Sequence, residues 1–209
     1  MKYIFILVFS YTYVLGQDST KIGNQIWAIY DLHTTYFLNG DSIPYAQSNE
    51  EWEIAGMNHK PAWCKYQENE DDETPLGILY NIYAITDPRG IVPEGWRIST
   101  IADWKDLEKY VLNSGSQLID LLTYEGWQYG NREEKYDFSI FSGGWRDVGF
   151  GGMNENITYW CEPAEESQSD NLMVNTVTVQ QYEDGSVQFN IGKTSWIMGH
   201  YVRLVKDGQ

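Results

Sequence analysis

The sequence predicts a single domain of the α+β class, in which a short strand and two main helices precede a series of strands. One amphipathic helical pattern lies near the middle of the chain, and short apolar segments separated by glycine turns follow it. The 209 residues also include 9 Trp, 16 Tyr and 7 Phe. So much aromatic surface is typical of a tightly packed, loop-rich fold and disfavours a helical bundle.

The first residues have the pattern of a secretory signal peptide. Met1–Gly16 reads MKYIFILVFSYTYVLG, with one lysine before an apolar run and small residues at its end, which predicts cleavage after Gly16. A membrane-spanning helix needs about 20 apolar residues, and this shorter run is interrupted by Ser10 and Thr12. We therefore expect residues 17–209 to fold as one domain outside the cytoplasm, either secreted or at the cell surface or in the periplasm, without stable membrane insertion.

The first predicted strand lies within Lys21–Ile29, where a turn at Gly23-Asn24 precedes a short apolar run. A helix is predicted over Leu76–Ala84, because Leu79, Ile82 and Tyr83 fall on one helical face. The residues that follow it include a proline and a glycine, which are typical of a helix end.

Ser99–Leu112 carries the clearest helical signal. Thr100 and Asp103 have nearly the spacing and chemistry of a capping box, and apolar residues then recur at intervals of three and four: Ile101, Trp104, Leu107 and Val111. Such a stripe predicts an amphipathic helix with one buried face.

Shorter elements are predicted after this helix. Ser116–Leu122 favours a short helix, and Asn171–Gln181 with Ser186–Ile191 favours a hairpin whose turn contains Asp184-Gly185. The alternating segment His200–Lys206 predicts the last strand.

The composition excludes several classes of partner and cofactor. Lys and Arg total 14 against 30 Asp and Glu, a net charge of −16, which repels phosphate backbones and therefore disfavours nucleic-acid binding. Three His and two Cys do not suffice for a four-ligand zinc cluster besides any other role, so we expect neither a metal nor a cofactor. The acidic run Glu68–Glu73 lacks the ordered spacing of a calcium loop and is interpreted as a solvated loop.

Seven blocks of the chain, taken in order, resemble those of one known family. They are Lys21–Trp27 (KIGNQIW), Asn39–Pro44 (NGDSIP), Trp63–Tyr66 (WCKY), Leu76–Ala84 (LGILYNIYA), Pro93–Thr100 (PEGWRIST) followed by Asp103-Trp104, Phe138-Ser139 with Gly143–Arg146 (GGWR), and Tyr201–Asp207 (YVRLVKD). In these blocks the chain is similar to the Fibrobacter succinogenes major paralogous domain, a family of secreted bacterial domains with a C-type-lectin-like fold.

The resemblance implies a particular architecture. In a C-type-lectin-like domain the first and last strands pair, and a long loop region lies on the opposite side. Ile22–Ile29 and Val202–Lys206 are the strands expected to pair, and Gly143–Asp170 is expected to form much of the exposed recognition surface. Loops on a rigid scaffold commonly carry binding residues.

The cysteines depart from the family pattern. Val92 and Leu204 stand where the family commonly has two cysteines, and we expect an apolar contact between them instead of a disulfide. The two cysteines present, Cys64 and Cys161, form either a disulfide or two buried, unpaired thiols.

The candidate ligand-binding residues are Trp145, Arg146, Tyr159, Trp160 and Glu162. Exposed rings stack on sugars or anchor protein partners, although core packing is an equal alternative for Trp145 and Trp160. Arg146 has the alternative of pairing with a carboxylate. Glu162 begins Glu162-Pro163-Ala164, which lacks the third ligand of the tripeptide that binds sugar through calcium in C-type lectins.

No catalytic constellation is predicted, because the chain lacks G-x-S-x-G, its histidines have no triad-like neighbours, and its two cysteines lie far apart. We expect a non-catalytic recognition domain that binds a glycan or a surface protein. The alternatives are a structural or assembly subunit at the bacterial cell surface, and a polysaccharide hydrolase with two carboxylates facing each other in a cleft.

Asn156-Ile157-Thr158 fits the N-glycosylation pattern, which we interpret as a coincidence.

Overall fold

The computed structural model describes residues 18–68, 77–129, 134–162 and 173–207. In chain order, the elements are β1 Ser19–Ile22, β2 Gln25–Ala28, α1 Asn49–Met57, β3 Trp63–Cys64, β4 Leu79–Asn81, α2 Ile82–Ile85, β5 Arg97–Ile98, α3 Ile101–Asn113, β6 Gly143–Arg146, β7 Phe150–Met153, β8 Asn156–Trp160, β9 Met173–Gln181, β10 Val187–Ser195, β11 Gly199–His200 and β12 Leu204–Asp207. Short 3-10 helices cover Tyr66–Glu68 and Leu118–Leu121. The predicted signal peptide and almost all of the acidic run lie outside the described residues.

Over this part of the chain the strands form two sheets, which confirms the α+β class. One has the order β1-β2-β12-β5, and the other has the order β10-β9-β8-β6-β11-β4-β3, with β7 paired to β6. In the first sheet β12 runs antiparallel to β2, with Val205 opposite Trp27. The predicted pairing of the first and last strand segments is therefore present.

Two predicted local elements are confirmed with their physical causes. Gly23 has a φ of +62° in the turn between β1 and β2, a conformation that favours glycine. Helix α3 begins at Thr100, whose side chain accepts a hydrogen bond from the backbone N–H of Asp103, and the Asp103 carboxylate accepts one from the Thr100 N–H in return. The hairpin of β9 and β10 also forms where predicted, in register over nine residue pairs.

The helix predicted over Leu76–Ala84 is wrong in its first half. Leu79–Asn81 forms strand β4, and only Ile82–Ile85 is helical. All three strand residues are buried, so pairing with β3 and β11 on either side outweighs the local helical spacing. Helix α1, which the sequence reading did not identify, begins at the N-cap Ser48 and buries Trp52.

The late part of the chain is more regular than expected. Residues 143–160 contain β6, β7 and β8 instead of a long loop, and residues 163–170 lie outside the described ranges. The predicted last strand is divided, because Gly199–His200 joins the larger sheet and Leu204–Asp207 joins the smaller one.

Aromatic rings fill the core between α3 and the sheets. Trp27 lies 5.2 Å from the ring of Trp104 and 5.2 Å from that of Phe138, centroid to centroid. Trp104 also stacks on Tyr159 at 5.0 Å. These contacts join the first hairpin, the long helix and the larger sheet.

A buried arginine near the C-terminal end of the chain contacts residues near its N-terminal end. The Arg203 Nε lies 2.6 Å from Asp31 Oδ1, and its Nη1 donates to the carbonyl oxygens of Ala28, Ile29 and Phe138. Burial raises the pKa of Asp31, and the Arg203 charge opposes that shift. The ion pair is hydrogen-bonded on several sides, as a buried charge requires.

The cysteines do not form a disulfide. Cys64 and Cys161 are both buried thiols, and burial raises the pKa of Cys161 to about 12, so its thiol is a small apolar side chain at neutral pH. Val92 packs against the buried apolar cluster that contains Leu204, and direct contact between these two side chains stays a prediction. Within the described ranges, no helix has the length and apolar character to cross a bilayer.

Candidate functional site

The structure places Tyr159 and Trp160 in the core, which corrects the prediction that these rings form an exposed platform. Neither has measurable exposure. The Tyr159 ring stacks on Trp104, and the Trp160 Nε1 donates to the carbonyl oxygen of Tyr80 at 2.8 Å. All five residues of β8 are buried, since both faces of the larger sheet are covered along this strand.

Arg146 is also buried and has a structural environment. Its guanidinium lies 4.7 Å from the ring centroids of Trp52 and Phe150. Its Nη2 donates to the Ser48 carbonyl oxygen at 3.0 Å and to Asn49 Oδ1 at 3.1 Å. The side chain therefore links β6 to the start of α1 by hydrogen bonds. This corrects the prediction that Arg146 contacts a ligand.

Trp145 and Glu162 retain contact with solvent. Trp145 is half-buried, with its ring against Gly151 of the neighbouring strand. Glu162 is exposed, and its backbone N–H donates to the Ser99 carbonyl oxygen at 3.0 Å. These two residues remain candidates, but they no longer belong to a continuous aromatic face.

The N-glycosylation pattern is inaccessible in the folded chain. Asn156 is 9% exposed, and its Nδ2 donates to Gln180 Oε1 at 3.2 Å.

Among the residues that the structure describes, no group of three or more His, Cys, Asp or Glu side chains is arranged to hold a metal ion.

A cleft lies elsewhere, between α3 and the turn of the β9–β10 hairpin. It has a volume of about 680 Å³ and is lined by Glu108, Leu112, Gln117, Leu118, Ile119, Tyr129, Asp184, Gly185, Ser186 and Val187. We call it the hairpin cleft. Clefts of this size commonly accommodate small ligands.

Three segments position its walls. The exposed side of α3 contributes Glu108 and Leu112, and the 3-10 helix supplies an apolar floor. The hairpin turn is held by Asp184, whose carboxylate accepts from the Ser186 backbone N–H at 2.9 Å. Tyr129 is placed by its own backbone N–H, which donates to Gln181 Oε1 at 3.1 Å.

The lining combines an apolar floor with neutral and acidic hydrogen-bonding groups. Tyr129 supplies a ring, Gln117 an amide, and Glu108 and Asp184 carboxylates; none of the described lining residues is basic. Hydrogen bonds from Ser186 lower the pKa of Asp184, so this carboxylate is an acceptor at neutral pH. The chemistry suits a neutral ligand rich in hydroxyl groups and disfavours an anionic one.

The elements that line the cleft could be predicted from the sequence, but not that they lie together. The sequence predicts the long helix, the shorter helix and the Asp184-Gly185 turn as separate elements. A single sequence carries no signal for their contact, because Glu108 and Asp184 are brought together only by the packing of the hairpin on α3.

Comparison with known proteins supports one assignment. No curated protein and no solved structure is significantly similar to the chain. The model of the Fibrobacter succinogenes major domain matches residues 20–206, which is nearly the whole chain. The chain therefore belongs to the Fibrobacter succinogenes major domain family.

Proposed function

We propose that the protein is a non-catalytic recognition domain that binds a neutral glycan in the hairpin cleft. The observation that carries the proposal is the lining of the cleft: a tyrosine ring, amide and carboxylate acceptors and an apolar floor, with no basic residue among the described lining residues. Sugars present apolar C–H faces to aromatic rings and hydroxyl groups to such acceptors.

The proposal places binding in the hairpin cleft instead of the Gly143–Asp170 segment. Burial of Tyr159, Trp160 and Arg146 removes three of the five residues expected there. The hairpin cleft instead brings together Glu108 of α3, the 3-10 helix, and turn residues whose backbone or side-chain hydrogen bonds hold them in place, Tyr129 and Asp184 among them.

We also propose that the fold is C-type-lectin-like and that the protein acts outside the cytoplasm. The antiparallel pairing of β2 with β12 supports the former, and the pattern of Met1–Gly16 supports the latter.

The test is a neutral-glycan array followed by calorimetry on the wild type and two tyrosine variants. Tyr129→Ala removes the ring that lines the cleft and is expected to weaken binding about tenfold. Tyr124→Ala is the matched control, because Tyr124 is 71% exposed and lies outside the cleft lining. Chelation of calcium is expected to leave binding unchanged.

Two results would overturn the proposal. One is a wild-type protein that binds no neutral glycan on the array. The other is binding that Tyr129→Ala leaves intact while Trp145→Ala abolishes it, which would return the site to the Gly143–Asp170 segment.

A further inference from the structure

Strand β10 forms a long edge of the larger sheet. Its nine residues, Val187–Ser195, pair with β9 along their whole length, from Val187 opposite Gln181 to Ser195 opposite Met173. Within the described residues no strand pairs with its other side. An edge of this length, about 30 Å, presents a row of backbone N–H and C=O groups that can pair with another strand.

The charge of this edge differs from that of the chain as a whole. Neither β9 (MVNTVTVQQ) nor β10 (VQFNIGKTS) contains an acidic residue, and Lys193 is their one charged side chain. The whole chain carries 30 acidic residues and a net charge of −16. Two copies repel each other over most of their surfaces, so an acid-free edge is where they approach at the lowest electrostatic cost.

We propose that β10 is a self-association edge, at which two copies pair their β10 strands antiparallel about a two-fold axis through Ile191. Both larger sheets then continue into one. The occupant of the edge is a second copy of this chain because the strand is complementary to itself in this register, as isologous dimers require.

The register follows from the central position of Ile191 in the nine-residue strand. Ile191, which is 45% exposed, faces its own copy, and burial of its apolar surface stabilises the pair. Lys193 faces Phe189 of the second copy, Gln188 faces Thr194, and Asn190 faces Gly192. No like charges are opposed, so this register avoids the cross-strand pairs that destabilise a sheet.

The same axis separates the acidic hairpin turns. Glu183 and Asp184 lie just before one end of β10, so antiparallel pairing places the turns of the two copies at opposite ends of the shared edge. A parallel arrangement would bring them together. Lys193 restricts the register further, because centring the pair on Lys193 would oppose two ammonium groups.

This inference is independent of the proposed glycan site. Self-association uses the outer edge of β10, whereas the hairpin cleft is lined by the turn and the start of that strand together with α3. The two surfaces share Val187, but Ile191, which the test changes, does not line the cleft, so loss of one property does not predict loss of the other.

The test measures mass by sedimentation equilibrium over protein concentrations from about 1 to 100 μM, using the whole chain without its signal peptide. The wild type is expected to dimerise, and Ile191→Asp and Ile191→Lys are each expected to be monomeric because like charges then meet on the axis. An equimolar mixture of the two variants is expected to form heterodimers. Ile54→Asp is the matched control, on an isoleucine of α1 that is 50% exposed, and is expected to dimerise like the wild type.

Each alternative result overturns the proposal. A wild type that stays monomeric at about 100 μM excludes the association. A dimer that persists in Ile191→Asp uses another surface, and a mixture of the two charged variants that remains monomeric contradicts the register. Circular dichroism of each variant identifies any loss of fold, so that monomers are compared only between folded proteins.

Discussion

His200 is the buried titratable group from which a change of stability with pH can be calculated most directly. It lies on β11 and is 2% exposed, with its ring 4.5 Å from that of Trp160. Neither ring nitrogen has a hydrogen-bond partner among the described residues. Burial lowers the pKa of His200 to about 3, from 6.5 in an exposed imidazole.

The consequence for stability has a definite sign. The unfolded chain binds a proton at this imidazole near pH 6.5, whereas the native chain stays unprotonated until about pH 3. Unfolding is therefore favoured progressively as the pH falls from 6.5 towards 3. Applied between pH 7 and pH 5, the linkage relation assigns a loss of about 2 kcal/mol to this one group.

His200→Phe removes the titration and keeps a ring against Trp160. We expect the variant to lose about 2 kcal/mol less stability than the wild type on going from pH 7 to pH 5. At pH 7 the variant is expected to be at least as stable as the wild type, because a buried polar group without a partner is replaced by an apolar ring.

The assay is urea unfolding followed by tryptophan fluorescence at pH 7, 6 and 5 for the wild type, His200→Phe and His59→Phe. His59 is an exposed imidazole stacked on Tyr83, so its replacement is the matched control. If the wild type and His200→Phe lose the same free energy of unfolding between pH 7 and pH 5, the reasoning from burial is refuted.

Three further predictions concern stability measured by chemical unfolding at pH 7. Asp31→Asn leaves the buried charge of Arg203 without its counter-ion and is expected to cost about 3–5 kcal/mol. Thr100→Ala removes the N-cap of α3 and is expected to cost about 1 kcal/mol, whereas Thr100→Ser is expected to cost less. Gly144→Ala and Gly40→Ala both place a side chain at a positive φ, but only the former brings a Cβ against neighbouring atoms, so we expect it to cost about 1–3 kcal/mol more.

Each of these predictions has a contradicting result. A stable Asp31→Asn protein would mean that Arg203 finds another anion or water. Equal stabilities of Thr100→Ala and Thr100→Ser would mean that the hydroxyl does not cap the helix. Equal losses for the two glycine variants would mean that β7 shifts to admit the methyl group.

The elements that could be predicted from the sequence have short-range causes. Helix α3 depends on a capping box and a stripe of apolar residues within one segment, and the β9–β10 hairpin depends on alternation around Asp184-Gly185. The pairing of β2 with β12 spans nearly the whole chain, and it was predicted through the family resemblance instead of from local pattern. Where neighbours along the chain set the conformation, the sequence alone was enough.

The binding site could not be predicted in the same way, because residue type does not specify burial. Tyr159 and Trp160 are adjacent on a strand, so their side chains point to opposite faces of the sheet. Both side chains are buried because other parts of the protein cover each face. Exposure on one face would have left one ring free for a ligand. The sequence does not state which strands are covered on both sides.

By itself, then, the sequence determined the family, the acidic character, the long helix, the late hairpin and the closing pair of strands. Tertiary structure alone decided that Leu79–Asn81 is a strand and that Arg146 is hydrogen-bonded to the start of α1. It also decided that Glu108, Tyr129 and Asp184 line one cleft. The physical reason is that helix caps, helical hydrogen bonds and hairpin turns act between near neighbours in the chain, whereas burial depends on contacts between segments far apart in sequence.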